Sequence, residues 1–319
     1  MYEGFFQLSE RPFAITPNPR FVFYSARYRQ AEDELTYAIN RKDGFMLLTG
    51  WPGTGKTTLC RDLIDKLDAD MHRSALLFNP FLTGREMLQA LLTEFGLPAP
   101  VNVSKNELLD ALNRFLLDQL AAGRTCVAVF DEAQHMSPEF LEQIRVLSNL
   151  ETAEEKLIQI LLVGQPELLD KINRPAMAQL SQRVSVRCTL THLDFEETRR
   201  YISHRLEVAG ARGRVAFSQR ALKRVHRASR GIPRSINAIC DQTLLAGYVE
   251  RTYKLDTKHV NQAIASLRGE ESDGIRANGR RRVLVMAGAA GLALIAAAIV
   301  FLLYRAGYSL PALSVWPLK

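Results

Sequence analysis

Short apolar runs recur through the first 190 residues: GFMLLTG (44–50), ALLFNP (75–80), CVAVFD (126–131), LIQILLVG (157–164) and VSVRCTL (184–190). Short, mostly apolar runs of this length predict buried strands. Longer amphipathic stretches separate them, for example 84–96 and 106–121. Strand, helix, strand repetition predicts an α/β fold, a three-layer parallel sheet with helices on both faces, over residues 43–190. After residue 190 the strands are expected to stop. LDFEETRRYISHRLEVAG, SQRALKRVHRASRG, SINAICDQTLLAGYVE and DTKHVNQAIASL read as four helices, the first ending at Gly210 and the second at Gly231. They make a small helical domain over residues 191–268.

The two ends depart from this alternation. Residues 1–24 are dense in aromatics and prolines, which predicts an irregular arm packed on a core. Ser25 then caps a helix of about 26–41, closing a first segment of 1–42. Glu3, Glu10 and Arg11 interrupt the start before any long apolar run, so no signal peptide is expected. At the other end, residues 269–282 carry Gly, Ser and charge without an apolar face and read as a basic linker. Residues 283–304 are uncharged and mostly apolar, enough at ~1.5 Å per residue to cross a ~30 Å hydrocarbon core. Arg280, Arg281 and Arg282 precede that span, which orients residues 1–282 to the cytoplasm. A short non-cytoplasmic tail, 305–319, follows, too small for a folded domain.

Charge changes the picture only by its distribution. Residues 1–190 hold 20 Lys and Arg against 24 Asp and Glu, a balance of −4, whereas 191–268 hold 15 against 7, a balance of +8. The excess points to an anionic partner for the helical domain: nucleic acid, a phospholipid surface or an acidic protein. Cys60, Cys126, Cys188 and Cys240 lie far apart with no His partners, which fits a reduced compartment and argues against zinc.

The chemistry begins at Gly50-Trp51-Pro52-Gly53-Thr54-Gly55-Lys56-Thr57-Thr58, between an apolar strand and a helix. Glycines at these spacings let backbone N–H groups turn inward around phosphates at a helix N-terminus, where the dipole favours anions. Lys56 reaches the β- and γ-phosphates of ATP, and the Thr57 hydroxyl ligates Mg²⁺. Asp131 ends a buried strand where its carboxylate joins the Mg²⁺ shell, and Glu132 beside it polarises the attacking water. Gln165, at the tip of the 157–164 strand, brings an amide near the γ-phosphate.

Together with Asp131-Glu132-Ala-Gln134, Gly164-Gln-Pro-Glu-Leu168, Gly231-Ile-Pro-Arg234 and the opening PFAITPNPRFVFYS, these residues resemble the AAA+ ATPases of the general secretion pathway protein A (ExeA) type. Related ATPases accompany pilus biogenesis and exopolysaccharide or exosortase loci. The resemblance covers about residues 1–268 and implies an AAA+ core with a helical lid, Gln165 as sensor 1 and Arg234 as sensor 2. It further implies an arginine finger acting on a neighbouring protomer, Arg183 first and Arg187 second, and hence a homo-oligomer, a ring or partial ring. The secretion protein continues past its span into a peptidoglycan-binding region, whereas about fifteen residues follow here. The expected role is therefore an inner-membrane ATPase serving other envelope proteins, with its lid near an anionic membrane surface. Two other readings stand beside it: a DNA-dependent ATPase related to transposition helpers, and a nucleotide-dependent membrane scaffold. The first would use Arg199, Arg200, Arg205, Arg212, Arg214, Arg220, Lys223, Arg224, Arg227 and Arg230 on the lid.

Overall fold

The computed structural model describes residues 1–269 except 17, 101 and 102. Positions 270–319, where the linker, the membrane span and the tail are expected, lie outside the described residues; among the described residues no helix is long and apolar enough to cross a membrane. Met1–Ala263 form one compact unit; of the second unit, Ile264–Lys319, residues 264–269 are described, as helix.

In chain order the elements are α1 (Tyr2–Phe6), α2 (Ala26–Asn40), β1 (Phe45–Gly50), α3 (Lys56–Lys66), β2 (His72–Leu77), α4 (Gly84–Glu94), α5 (Lys105–Ala121), β3 (Thr125–Phe130), α6 (Pro138–Leu147), β4 (Ile158–Gly164), α7 (Glu167–Ile172), α8 (Ala178–Ser181) and β5 (Val184–Leu190). The lid adds α9 (Phe195–Val208), β6 (Ala216–Phe217), α10 (Gln219–Ser229), α11 (Pro233–Val249), β7 (Lys254–Leu255) and a last helix, α12, over 257–269. The five long strands pair in parallel in the order β2-β3-β4-β1-β5. This central sheet matches the expected three-layer arrangement.

Alternation along the strands builds the two faces. Phe45, Leu47, Ala128, Phe130, Ile160 and Leu162 share one core with the apolar sides of α4, α5 and α6. Met46, Leu48, Val127, Val129, Leu161 and Val163 share the other with α2 and α3. Because both faces are covered, β1 and β4 are buried at every residue, which is why they read as nearly continuous apolar runs, broken only by the buried Thr49 and Gln159. Side-chain caps start the helices where the sequence places them: Ser25 on α2, Ser137 on α6, and full capping boxes Thr83–Glu86, Ser104–Glu107 and Asp194–Glu197 on α4, α5 and α9.

Two expectations need correction. The lid is not strand-free: Ala216 pairs with Lys254 and Phe217 with Leu255 in a parallel two-residue ladder between the leads into α10 and α12. Two residues per strand leave no period-two signal. The arm is not wholly irregular either, since it opens with α1, and it packs on the lid. The hydroxyl of Tyr2 bonds Asp241, Phe5 stacks on Tyr253 with ring centroids 4.7 Å apart, and Ser9 Oγ donates to the Ala209 carbonyl at 3.0 Å. Aromatics concentrated in a proline-broken segment supply area without requiring regular backbone.

Candidate functional site

The strand order sets the site. β1 lies between β4 and β5, so the loop leaving its carboxyl end at Gly50 emerges beside the ends of both neighbours. In that loop Gly53 and Gly55 have φ of +80° and +102°, a backbone that other residues rarely adopt, and Gly55 leads directly into α3. Thr54 closes the turn, its hydroxyl donating to the Trp51 carbonyl at 2.8 Å. Lys56 is buried, and its ammonium donates to the carbonyls of Gly50 at 2.8 Å and Trp51 at 3.3 Å, drawn across the mouth of the loop. Burial pushes its pKa below the ordinary lysine value, while Glu132 and Asp131 oppose that shift.

Trp51 and Pro52 are exposed, Trp51 at 53%. The Trp51 ring stands 6.4 Å from that of His192, so this residue joins the loop's interior through its carbonyl and turns its side chain away. Thr57 Oγ1 donates to Asp131 Oδ2 at 2.7 Å, which brings two hard oxygens together at the head of α3. Such a pair fits Mg²⁺, a cation that takes one or two protein oxygens and leaves its other positions to phosphate and water. Thr58 is half-buried one residue further on.

Glu132 follows at φ +54°, a left-handed backbone at a non-glycine residue. Its backbone N–H donates to Asp131 Oδ1 at 2.8 Å, and its carboxylate accepts from Gln134 Nε2 at 2.6 Å. Gln165 stands at the end of β4 with its backbone N–H donating to Gln134 Oε1 at 3.0 Å. Arg234, in the first turn of α11, is brought to the loop by its backbone: its N–H reaches the Gly53 carbonyl at 3.3 Å. A Cβ on Gly53 would stand 2.8 Å from Cβ of Arg234, so glycine there also lets the lid approach.

The two finger candidates lie apart from this cluster. Arg183 precedes β5 and donates to Ser148 Oγ at 3.2 Å. Arg187, on β5, donates to Ser181 and to Asn173 Oδ1. The lid's basic set also divides. Arg205 is buried, bonded to the carbonyls of Pro12 and Ala14 and to the Tyr201 hydroxyl, with its guanidinium 4.8 Å over the ring of Phe21. It anchors the arm and is not available to an anionic partner. Arg199 pairs with Glu196, whereas Lys223, Arg227 and Arg230 line an open cleft of about 400 Å³ with Phe195 and His226.

Three contributors escaped the sequence reading. Gln134 was visible only as part of a motif, since nothing in its spacing shows where its amide turns. Lys171, whose ammonium is shared by the carbonyls of Gln134 at 2.7 Å and Met136 at 2.6 Å, reads as an ordinary surface lysine on a helix. His192 carries a buried Nε2 without a hydrogen-bond partner among the described residues, between the sheet and the lid beside Trp51.

A phosphate-wrapping loop, a paired Thr and Asp, and a glutamate beside them form a set able to hold a nucleoside triphosphate with Mg²⁺ and to activate a water against it. Comparison with known proteins agrees. The AAA domain family matches residues 39–172. General secretion pathway protein A of Aeromonas hydrophila is 42% identical over 296 residues, covering 93% of this chain and 53% of that protein. The chain thus spans about half the length of this relative. Among solved structures, ORC2 of Aeropyrum pernix in its ADPNP–ADP complexes superposes with a TM-score of 0.62 at 18% identity, covering 81% of this chain and 71% of that one. ORC1 of the same organism, in complex with DNA, gives 0.61 at 16%, covering 81% and 69%. At that identity the likeness is one of fold. On sequence and fold together, the chain belongs to the AAA+ P-loop NTPases related to general secretion pathway protein A.

Proposed function

We propose that this chain is a membrane-anchored ATPase that hydrolyses ATP to drive assembly or regulation of a bacterial envelope secretion or exopolysaccharide export system. The observation that carries the proposal is the convergence of Lys56, Thr57, Asp131 and Glu132 at the end of one parallel sheet. In this reading the loop from Gly50 to Thr58 wraps the phosphates with backbone N–H groups, and Lys56 turns from its carbonyl partners to the β- and γ-oxygens. Thr57 and Asp131 hold Mg²⁺, which when bound neutralises charge developing on the phosphates. Glu132 accepts a proton from the attacking water. Gln165 orients that water or the γ-phosphate, and Arg234 senses the nucleotide from the lid. Arg183, or failing it Arg187, reaches the site of a neighbouring protomer, so turnover requires a homo-oligomer.

The envelope setting rests on the 42% identity to general secretion pathway protein A and on the apolar run 283–304, which we read as a single span of the inner membrane with the ATPase on the cytoplasmic side. The cleft around Lys223, Arg227 and Arg230 supports contact with an anionic membrane surface, where each basic residue contributes about 1 kcal/mol.

Glu132→Gln tests the function: ATP affinity is retained and turnover falls about 10²- to 10⁴-fold, the usual cost of a lost general base. Unchanged turnover sinks the assignment of Glu132, and intact function of the variant in cells favours a nucleotide-dependent scaffold. The same assay addresses the one rival supported by an observation, the basic lid on a fold shared with a DNA-bound structure. Turnover stimulated by anionic liposomes supports the membrane reading; stimulation by duplex DNA alone supports a DNA-dependent ATPase.

A further inference from the structure

His226, Arg227 and Arg230 follow Lys223 at three, four and seven residues, so the four share one side of α10 and its C-cap and line the open cleft with Phe195 of α9. Arg199, Arg205 and Arg224 of the lid have partners in Glu196, the arm and Asn261. The side chains of Lys223, Arg227 and Arg230 have no hydrogen bond or ion pair among the described residues. The acids at the start of α9 are committed, Asp194 and Glu197 to their capping box and Glu196 to Arg199. Arg200 of α9 and the charged groups of α11 stand outside the cleft lining. Three cations with no acid among them repel one another, and an anion relieves that repulsion.

His226 is set up to join them. Thr198 is buried, and its hydroxyl donates its one proton to the Asp194 carbonyl at 2.7 Å. Its oxygen lies 2.9 Å from His226 Nδ1 and can only accept there, so Nδ1 carries a proton. In the neutral imidazole Nε2 is then a lone-pair acceptor, the wrong group to face an anion. Protonation turns it into a further cationic donor without disturbing the Thr198 bond. The Phe195 ring, 5.9 Å from that of His226 between centroids and inclined at 73°, adds an apolar wall beside the cations.

We propose that this cleft is a binding site for the phosphate of an anionic phospholipid headgroup, with His226 Nε2 as a donor that protonation switches on. The inference rests on the membrane reading above and turns a charged face into a defined site. The cations surround a single cleft of about 400 Å³, room for one headgroup, whereas a duplex presents phosphates along a continuous backbone and is met by cations that track it. The apolar run read as a span also follows the lid closely in sequence, which keeps the lid in the company of bilayer phosphates.

The experiment compares lysine acetylation, read by mass spectrometry, in the full chain held in nanodiscs of phosphatidylcholine alone or of phosphatidylcholine with phosphatidylglycerol. With exposed Lys254 as the internal reference, Lys223 should react about fivefold more slowly in the phosphatidylglycerol discs, and the difference should grow as pH falls from about 8 to 6. His226→Gln keeps a donor for Thr198 but cannot gain a proton, so protection should weaken and lose its pH dependence. Arg227→Gln combined with Arg230→Asn should abolish protection; asparagine tolerates the left-handed backbone at residue 230, φ +54°. Arg212→Gln combined with Arg214→Gln removes the same charge from an exposed turn outside the cleft and should leave protection intact. Equal losses in the two double variants would mean a diffuse charge effect and overturn the site. So would a Lys223 rate unmoved by phosphatidylglycerol, or stronger protection by inorganic phosphate or a short DNA duplex added to phosphatidylcholine discs. A pH dependence that survives His226→Gln overturns the part given to His226. If the chain does not enter the discs, the membrane reading fails, and dihexanoyl phosphatidylglycerol in solution decides the cleft: slower Lys223 acetylation sustains it, an unchanged rate overturns it.

Discussion

Gly231 carries the chain from α10 to α11 with φ +73°, directly after Arg230 at φ +54°. Its place is fixed by more than backbone freedom. The Leu193 N–H donates to the Gly231 carbonyl at 2.9 Å, and a Cβ on Gly231 would stand 2.0 Å from the Leu193 carbonyl oxygen. Leu193 lies in the strap between β5 and α9, so this contact clamps the connection between core and lid. Gly231→Ala adds left-handed strain to a backbone clash that no rotamer relieves, and should cost about 3 kcal/mol. Chemical denaturation reads that loss directly; a stability within 0.5 kcal/mol of wild type would mean the strap yields freely. At this scale the sequence was a good guide where a residue acts through its type. The glycines, Lys56, Thr57 and Asp131 lie where their spacing puts them, because a phosphate loop is a backbone conformation that few residues can make. It was a poor guide to Gln134, whose contribution depends on where a side chain turns after the fold has formed.

Among the elements, the arm and α9 show how composition can mislead. Arg205 counts towards the lid's charge of +8, yet its guanidinium is spent inside, on the Pro12 and Ala14 carbonyls and the Tyr201 hydroxyl. Removing it strands those buried acceptors, each at about 1–3 kcal/mol. Arg205→Met should therefore lower unfolding free energy by about 3 kcal/mol and expose the arm to limited proteolysis ahead of α2. Arg212→Gln, at an exposed turn, should leave stability within about 0.5 kcal/mol. Equal stabilities in the two variants would show that the arm's other contacts, those of Tyr2, Phe5, Ser9, Arg11 and Phe23 among them, hold it without Arg205. β1, β3 and β4 were legible because burial on both faces writes apolar runs, whereas β2 and β5, exposed in part, carry a weaker signal. The ladder of β6 and β7 was not legible, since two residues are too few to carry a period. The arm's contact with the lid was not either, because it joins residues some 190 to 250 positions apart, partly through carbonyls that any sequence supplies.

For the whole molecule, the register of β5 bears on where catalysis is completed. Val184 pairs with Phe45 at the start of β1, whereas the phosphate loop leaves from Gly50 at its end. Arg183, one residue before Val184, thus stands about 20 Å along the sheet from its own loop, at ~3.3 Å per residue, farther than an arginine side chain extends. Arg183 is out of reach of its own phosphate loop, so the finger role proposed for it needs a second copy of the chain. Its guanidinium must first leave Ser148 Oγ, a neutral partner at 3.2 Å whose loss costs little beside a pair with phosphate. Arg187, by contrast, has Ser181 and Asn173 to abandon, which ranks it second. Mixing distinguishes action within one chain from action between chains. Arg183→Ala and Glu132→Gln should each be nearly inactive alone. In a mixed assembly, an Arg183→Ala protomer keeps Glu132 and receives the finger of a Glu132→Gln neighbour, so equal mixing should rebuild about one quarter of the interfaces. Recovery of activity on mixing supports a finger supplied in trans. An inactive mixture of variants that co-assemble, as judged by light scattering, removes Arg183 from that role and passes it to Arg187, tested in the same way.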